Sequence, residues 1–169
     1  MNLQIFAEAV QGKKLVYLYR VHGDASNAVA MAFVTENTRT KSKDADSTAT
    51  KDGAIRTPGA SEVEIAATSI LAKGDTLYAK LEAAMDEDKL IEIWEANLEE
   101  PADEDNKFAG CYYQGYLTEF ELSSSAEDFV EVSTTFAING SGAKGDVSVS
   151  VEQQEVAAYA FTDTAALPN

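Results

Sequence analysis

Two glycine- and acid-containing stretches have spacings that occur in ligand sites. Residues 140–145 (GSGAKG) have the glycine spacing of a dinucleotide fingerprint, which works only where a strand turns into a helix. The run that follows, VSVSVE, is typical of a strand, so we interpret residues 140–145 as a glycine-rich hairpin.

A calcium loop is the second possibility, because Asp44, Asp46 and Thr48 stand at the first, third and fifth positions of such a loop. An EF-hand loop also needs glycine at its sixth position and glutamate at its twelfth. This sequence has Ala49 and Ile55 there. Weak cation binding stays open, but a solvated polar loop is favoured.

Catalytic groups are scarce. Residues 22–26 (HGDAS) offer a base, a carboxylate and a hydroxyl, but a nucleophilic triad draws its members from separate elements. The run Gly12–Lys14 lacks the upstream glycine and the following Ser or Thr of a phosphate loop. With one His and one Cys, zinc and thiol chemistry are disfavoured, and none of the 29 acidic residues is singled out as a pair. The sequence predicts no enzyme, no cofactor and no metal site.

The elements that would carry any site are mostly strands. Period-two patterns predict strands at the following places: residues 15–21 (a central strand), 28–34, 61–68, 90–98, 108–123, 129–138 and 147–152. Helical spacing predicts one helix over 75–88, capped by Asp75. We therefore expect one domain over 1–169, mainly β, an antiparallel β-sandwich or barrel with one flanking helix and terminal arms at 1–12 and 154–169.

The stretch between the second and third predicted strands, residues 35–59, is polar and reads as a long loop. Connections of this length are usually functional or disordered. Five of the 13 basic residues lie in it: Arg39, Lys41, Lys43, Lys51 and Arg56. Residues 82–105 carry eleven carboxylates against Lys89 alone. A basic arm on an acidic body favours docking onto another copy, whereas a flexible loop without a partner is the alternative.

The net charge of the chain disfavours nucleic acids as binding partners. At a net charge of −16, the chain is not expected to bind DNA tightly, because DNA affinity comes from Lys and Arg displacing counterions. No apolar run is long enough to cross a membrane. The single Cys111 excludes an intrachain disulfide.

Three segments resemble a known family. They are residues 13–21 (KKLVYLYRV), 67–100 (ATSILAKGDTLYAKLEAAMDEDKLIEIWEANLEE) and 112–146 (YYQGYLTEFELSSSAEDFVEVSTTFAINGSGAKGD). In order, length and texture they resemble the major tail proteins of long, non-contractile bacteriophage tails, those of lactococcal phages most of all.

The resemblance implies a β-sandwich subunit in the virion tail that is assembled in the host cytoplasm. Six copies would form a ring, and rings would stack as a tube around a tape measure protein, between distal tail and tail terminator proteins. DNA would pass through without specific binding. The long loop would reach the adjoining ring, through the contact candidates Arg39, Lys41, Lys43, Asp44, Asp46, Lys51 and Arg56.

An acidic wall would let DNA slide, because like charges repel. Candidates for that wall alternate with apolar residues along predicted strands: Glu62, Glu64, Glu119, Glu121 and Glu131. Two other functions stay open, namely a tube protein of a related secretion or injection machine and a monomeric acidic binding module.

Overall fold

The structure is a computed structural model that describes residues 7–158. Six strands and two α-helices follow in chain order: β1 (Leu15–Val21), β2 (Val34–Thr50), β3 (Gly53–Ile70), α1 (Leu77–Asp86), β4 (Ile91–Pro101), β5 (Lys107–Ser123), β6 (Glu131–Ser148) and α2 (Val151–Ala158). All pairings are antiparallel, in the order β1-β4-β5-β6-β3-β2. The expected mainly-β antiparallel fold with a flanking helix is confirmed.

The sheet folds over onto itself. Neighbouring strands lie about 4.8 Å apart, so β1 and β2, at opposite ends of the strand order, would be roughly 24 Å apart in a flat sheet. The Tyr19 hydroxyl on β1 nevertheless donates to Asn37 Oδ1 on β2 at 3.4 Å. The rings of Tyr19 and Phe136 on β6 stack with centroids 5.4 Å apart. The two ends of the sheet thus face each other as the layers of a sandwich.

The core lies between these layers. Alternate residues of the strands point into it, such as Ile65 on β3 and Ile93 on β4, and neither is exposed to solvent. Helix α1 adds Leu81, which is also fully buried. The helix is shorter than expected at both ends, and its N-cap position is Thr76, not the predicted Asp75. Asp75 Oδ1 still accepts the N–H of Leu77, the first helical residue, at 2.9 Å.

Strand β1 is an edge strand, and the prediction of a central position was wrong. Its pattern misleads because both of its faces are covered: Tyr17 and Tyr19 lie in the main core, while Leu18 lies in a second cluster with Phe108 and others. A strand with apolar residues on both faces is expected to have both faces buried. An edge strand can also have both faces buried, so the pattern does not show that a strand is central.

The strand predicted over 28–34 does not form. Only Val29 pairs with Tyr19, through two backbone hydrogen bonds of 2.8 and 3.0 Å, as an isolated bridge beside β1. The backbone then turns at Phe33, whose φ is 50°, and β2 starts at Val34. Met31 is buried, but Val29 and Phe33 are exposed, so the alternation of large residues does not mark one packed face.

Residues 140–145 are not a hairpin either. They lie inside β6, where Tyr112 pairs with Ala143 and Gln114 with Asn139, so that one residue of β5 faces a three-residue bulge. Gly140 and Gly142 adopt φ of 66° and 82°, a region that favours glycine. Two predicted strands are therefore one, and the sheet has six strands.

The terminal segments are only partly described. Residues 1–6 of the expected N-terminal arm and 159–169 of the C-terminal arm lie outside the described residues. Residues 7–11 have no regular structure and lead into a 3-10 turn at Gly12–Lys14. The strand expected over 147–152 ends at Ser148, and α2 begins at Val151.

The predicted loop over 35–59 is a β-hairpin. Strands β2 and β3 continue through it and meet at a two-residue turn, Lys51 and Asp52. The sequence concealed these strands because residues 41–60 are exposed without interruption, and a strand with no buried face shows no alternation.

Candidate functional site: a projecting hairpin and an acidic sheet face

The hairpin projects from the sheet at the point where β3 no longer pairs with β6. β3 pairs with β6 only over residues 63–70, and beyond that point it pairs with β2 alone. From the Lys43–Ser61 pair to the Thr50–Gly53 pair is seven residue steps, or roughly 23 Å of two-stranded ribbon. We call residues 43–61 the ribbon. An isolated two-stranded hairpin is marginally stable in water, so a ribbon of this length is suited to a partner.

A bulge separates the ribbon from the rest of the hairpin. The pairing shifts between Lys43 and Ala45, where two residues of β3, Gly59 and Ala60, oppose Asp44. Bulges bend a strand and increase its twist, so this one sets the direction in which the ribbon projects.

Six of the seven predicted contact residues are exposed on or just below the ribbon, and among the described residues none of them forms an ion pair. They are Lys41, Lys43, Asp44, Asp46, Lys51 and Arg56. Their charges are available to another molecule. Whether they meet a neighbouring ring stays a prediction.

Arg39 differs from the other six. Its Nε lies 2.7 Å from Glu95 Oε2 on β4, in the facing layer, and the Tyr17 hydroxyl donates to the same oxygen at 2.6 Å. Burial, reinforced by this hydrogen bond, raises the pKa of Tyr17, so the hydroxyl keeps its proton and acts as donor. Arg39 fastens the root of the hairpin to the body of the same chain. Whether Arg39, whose side chain stays partly exposed, also meets an adjoining ring stays a prediction.

The five predicted wall residues come together on one surface. All are exposed and lie on the sheet face that points away from the core, on β3, β5 and β6. The register places Glu64 beside Ala137, Glu119 beside Thr135 and Glu121 beside Ser133. The same face carries small uncharged residues, together with Glu36, the partner of Thr68, and Tyr116, the partner of Ala137. The small residues are Thr38, Thr40, Ser42, Ala66 and Thr68. We call this surface the acidic face. The carboxylates on this face repel anions, and its uncharged residues provide no strong binding site for them.

Sequence reasoning missed a polar cluster on the outer side of β1, β4 and β5. Glu92 is buried and accepts from Arg20 Nε at 2.8 Å and from the Tyr112 hydroxyl at 2.7 Å. The Arg20 guanidinium also lies 5.0 Å from the centre of the Trp94 ring. Burial raises the pKa of Glu92, but these hydrogen bonds outweigh it and hold that pKa below its ordinary value. Arg20 and Glu92 are register partners, which only the strand pairing reveals.

The motifs set aside at the start gain no support as ligand sites. His22 lies in a turn, with Nδ1 3.6 Å from Glu92 Oε1. Within residues 7–158 there is no group of three or more His, Cys, Asp or Glu side chains placed to hold a metal ion. No helix in that range is long and apolar enough to cross a membrane.

Solved structures share this fold. The chain superposes on the tail tube protein of phage SPP1 with a TM-score of 0.72 and 17% identity, covering 91% of this chain and 87% of that one. It also matches a tail protein of a gene transfer agent particle (TM-score 0.62, 13% identity, 80% and 98% covered). A protein of the sheath-tube complex of an extracellular contractile injection system is more distant (TM-score 0.53, 16% identity, 88% and 99% covered). The molecule has the fold of tube-forming proteins.

The family follows from the sequence itself. The model of the phage tail tube protein family matches residues 9–144, so the chain belongs to that family and is a component of the phage tail. A protein of Staphylococcus phage phiMR25 that carries a provisional tail-protein name is 28% identical over 154 residues, covering 88% of this chain and 80% of the relative. The resemblance drawn from residues 13–21, 67–100 and 112–146 is confirmed.

Proposed function

We propose that the protein is a structural subunit of the tail tube, in which six copies close a ring and rings stack head to tail, and that it has no catalytic role. The observation that carries this proposal is the ribbon, a segment of ordered strand that residues 7–158 leave exposed on both faces. In a tail tube family member, the partner that accounts for such a segment is another copy.

Ring closure would resolve the sheet edges. β1 and β2 are the two edge strands, and open edges carry backbone donors and acceptors that invite pairing with another chain. Side-by-side contacts that return to the first copy remove every edge, whereas an open series would continue to grow. The gene transfer agent tail was resolved with C6 symmetry, which supports six as the number.

The acidic face is suited to line the channel. Five glutamates, with Glu36 on the same face, repel phosphate and offer no cation to hold it, so DNA would slide past. Before DNA arrives, the same channel would hold the tape measure protein. Distal tail and tail terminator proteins would contact the two ends of the tube.

Negative-stain microscopy and light scattering of purified full-length protein test this proposal. We expect rings and tubes, with stacking that weakens when the ribbon is altered. A particle that stays monomeric at high concentration, with neither rings nor tubes, would favour the acidic binding module instead.

The likeness to the contractile injection system is one of fold alone, whereas the family match assigns this chain to a phage tail. Genes adjacent to the coding sequence provide a check: tape measure and portal genes are expected there, and sheath and effector genes would contradict the assignment.

A further inference from the structure

We propose that an exposed apolar cluster at the far end of the sheet from the ribbon receives the ribbon tip of a second copy in the adjoining ring. The inference rests on the proposed tube function and deepens it by naming the receiving surface. It begins with four large apolar side chains that the chain leaves in solvent: Phe33, Leu71, Leu122 and Phe129. We call them the end cluster.

The backbone places these four residues at adjacent strand ends. Phe33 precedes β2, and its carbonyl accepts the Ile70 N–H at 3.0 Å; the Leu71 N–H donates to the carbonyl of Val130, next to Phe129, at 2.8 Å. Leu122 on β5 pairs with Val132 on β6, at the same end of the sheet. The end cluster therefore crosses four neighbouring strands.

The aromatic side chains of the end cluster are unusually exposed to solvent, which suggests that a partner covers them. Phe129 is 80% exposed and Phe33 is 68% exposed, and large aromatic side chains contribute strongly to contacts when they are buried. Phe33 also has a φ of 50°, which is unfavourable for a bulky residue. Large apolar side chains that are exposed together at one end of a sheet are typical of interaction surfaces.

The charges around the end cluster favour the ribbon tip as the segment that binds there. Residues 119–131 around the end cluster contain five carboxylates and no Lys or Arg, and the nearby cation is Lys73. Residues 41–56, in contrast, carry four cations against three carboxylates on a chain of net charge −16. Among those cations stands Ile55, which is 57% exposed. An apolar residue beside Arg56 complements an apolar cluster beside Glu127 and Asp128.

Geometry makes the contact head to tail. β2 starts next to the end cluster and finishes at the ribbon tip, so the two surfaces lie at opposite ends of one long strand. One copy cannot bring them together without bending that strand back. When copies are stacked in the same orientation, the tip of each points to the end cluster of the next, a heterologous contact that repeats along a tube.

Cross-linking tests the pairing directly. In a Cys111→Ser background, Ile55→Cys and Phe129→Cys are combined in one chain, and assembled tubes are treated with a short bismaleimide. We expect a ladder of covalent oligomers beyond the dimer, because each chain then carries both halves of a repeating contact. Each single-cysteine variant should give dimers at most, and an Ile55→Cys/Glu82→Cys control, with its second thiol on α1, should give no ladder.

The outcomes are distinct. Tubes of the double variant that cross-link no better than the control would overturn the inference and leave the tube function standing. A wild-type protein that forms neither rings nor tubes would remove the tube function itself. Should Phe129→Cys alone abolish tubes while its thermal unfolding and the Glu82→Cys tubes stay normal, the end cluster is required for stacking. Normal tubes from a Phe33→Ser/Phe129→Ser variant would contradict that requirement.

Discussion

Strands β2 and β3 each belong to two regions that differ in what stabilises them. In the body, Val63 and Ile65 of β3 are buried and pair with β6. In the ribbon, the same two strands are exposed on both faces and pair only with each other. The chain stabilises its body by its own core, whereas the ribbon depends on other copies. Substitutions in the buried core should therefore affect folding, whereas substitutions in the ribbon should affect assembly.

The body should be most sensitive where two strands pack without room for a side chain. A Cβ added at Gly110 on β5 would lie 2.0 Å from the Glu95 carbonyl oxygen and 2.7 Å from Val147 Cγ2. Since a backbone atom cannot move aside without breaking the β4–β5 pairing, Gly110→Ala should lower the free energy of unfolding by about 3 kcal/mol or more. Chemical denaturation measures the change.

Gly145→Ala is the matched control for this substitution. Gly145 is the cross-strand partner of Gly110 on β6, but a Cβ added there meets nothing within 4 Å. We expect normal stability. Equal losses in both variants would show that general strand preference, and not the close approach to Glu95, sets the cost.

The ribbon should show the opposite behaviour. Replacing residues 44–60 by a two-residue Asn-Gly turn joins the paired Lys43 and Ser61 directly and keeps the Arg39 contact. Because the removed residues are exposed, the free energy of unfolding should change by less than about 1 kcal/mol. Tubes should be lost, as microscopy of the purified variant would show. A wider deletion over residues 38–56 would also remove Arg39, so its effects on folding and on assembly could not be separated.

Two results would contradict the view that the ribbon is needed for assembly and not for folding. A shortened variant that unfolds at much lower denaturant concentration would mean that the ribbon stabilises the body. Tubes of normal length from that variant would mean that the ribbon is not needed for stacking.

Arg39 and Glu95 lie at the boundary of the two regions. Glu95→Gln keeps the shape of the side chain but removes the charge that Arg39 Nε and the Tyr17 hydroxyl share. We expect a loss of about 2 kcal/mol in unfolding free energy, because a hydrogen bond to a charged group contributes about 1.5 to 3 kcal/mol and Arg39 is partly solvated. Glu64→Gln on the acidic face is the control and should be neutral. A neutral Glu95→Gln would show that the hairpin root needs no such contact.

The sequence predicted the body better than the ribbon for a physical reason. Alternation reports burial, so it located the strands whose sides face the core, such as the one that carries Val132 and Phe136. Alternation did not locate the strands of the ribbon, because threonine and charged residues occupy both of its faces. It also divided β6 at Gly140, because glycine signals a turn and a bulge alike.

The candidate site shows the same division. The five glutamates predicted to line a wall share one exposed face, because period two fixes which residues of a strand lie on the same side. That this face lines a channel stays a prediction. The pairing of Arg39 with Glu95, 56 positions apart in the chain, depends on how the layers face each other. No local pattern carries that information. The end cluster escaped notice because its residues come from four separate segments.

The smallest predicted effect concerns Glu92 and pH. Its pKa in the folded protein lies below its ordinary value, so the unfolded chain binds more protons in this range and stability rises with pH. The contribution of Glu92 is therefore fully present above its ordinary pKa and is lost as the pH falls through the folded value. At neutral pH, Glu92→Gln should cost about 1 to 2 kcal/mol, the value of its hydrogen bonds from Arg20 and Tyr112.

In acid the two proteins should become alike, because Glu92 is then protonated in both states. Measuring wild type and variant side by side cancels the titration of the other carboxylates, and denaturant unfolding from about pH 7 down to about pH 3 covers the range in which a glutamate titrates. A difference that stays constant over that range would show that the variant loses packing and not a charge. Tube formation at neutral pH should be unchanged, because Glu92 is buried and lies neither in the ribbon nor in the end cluster.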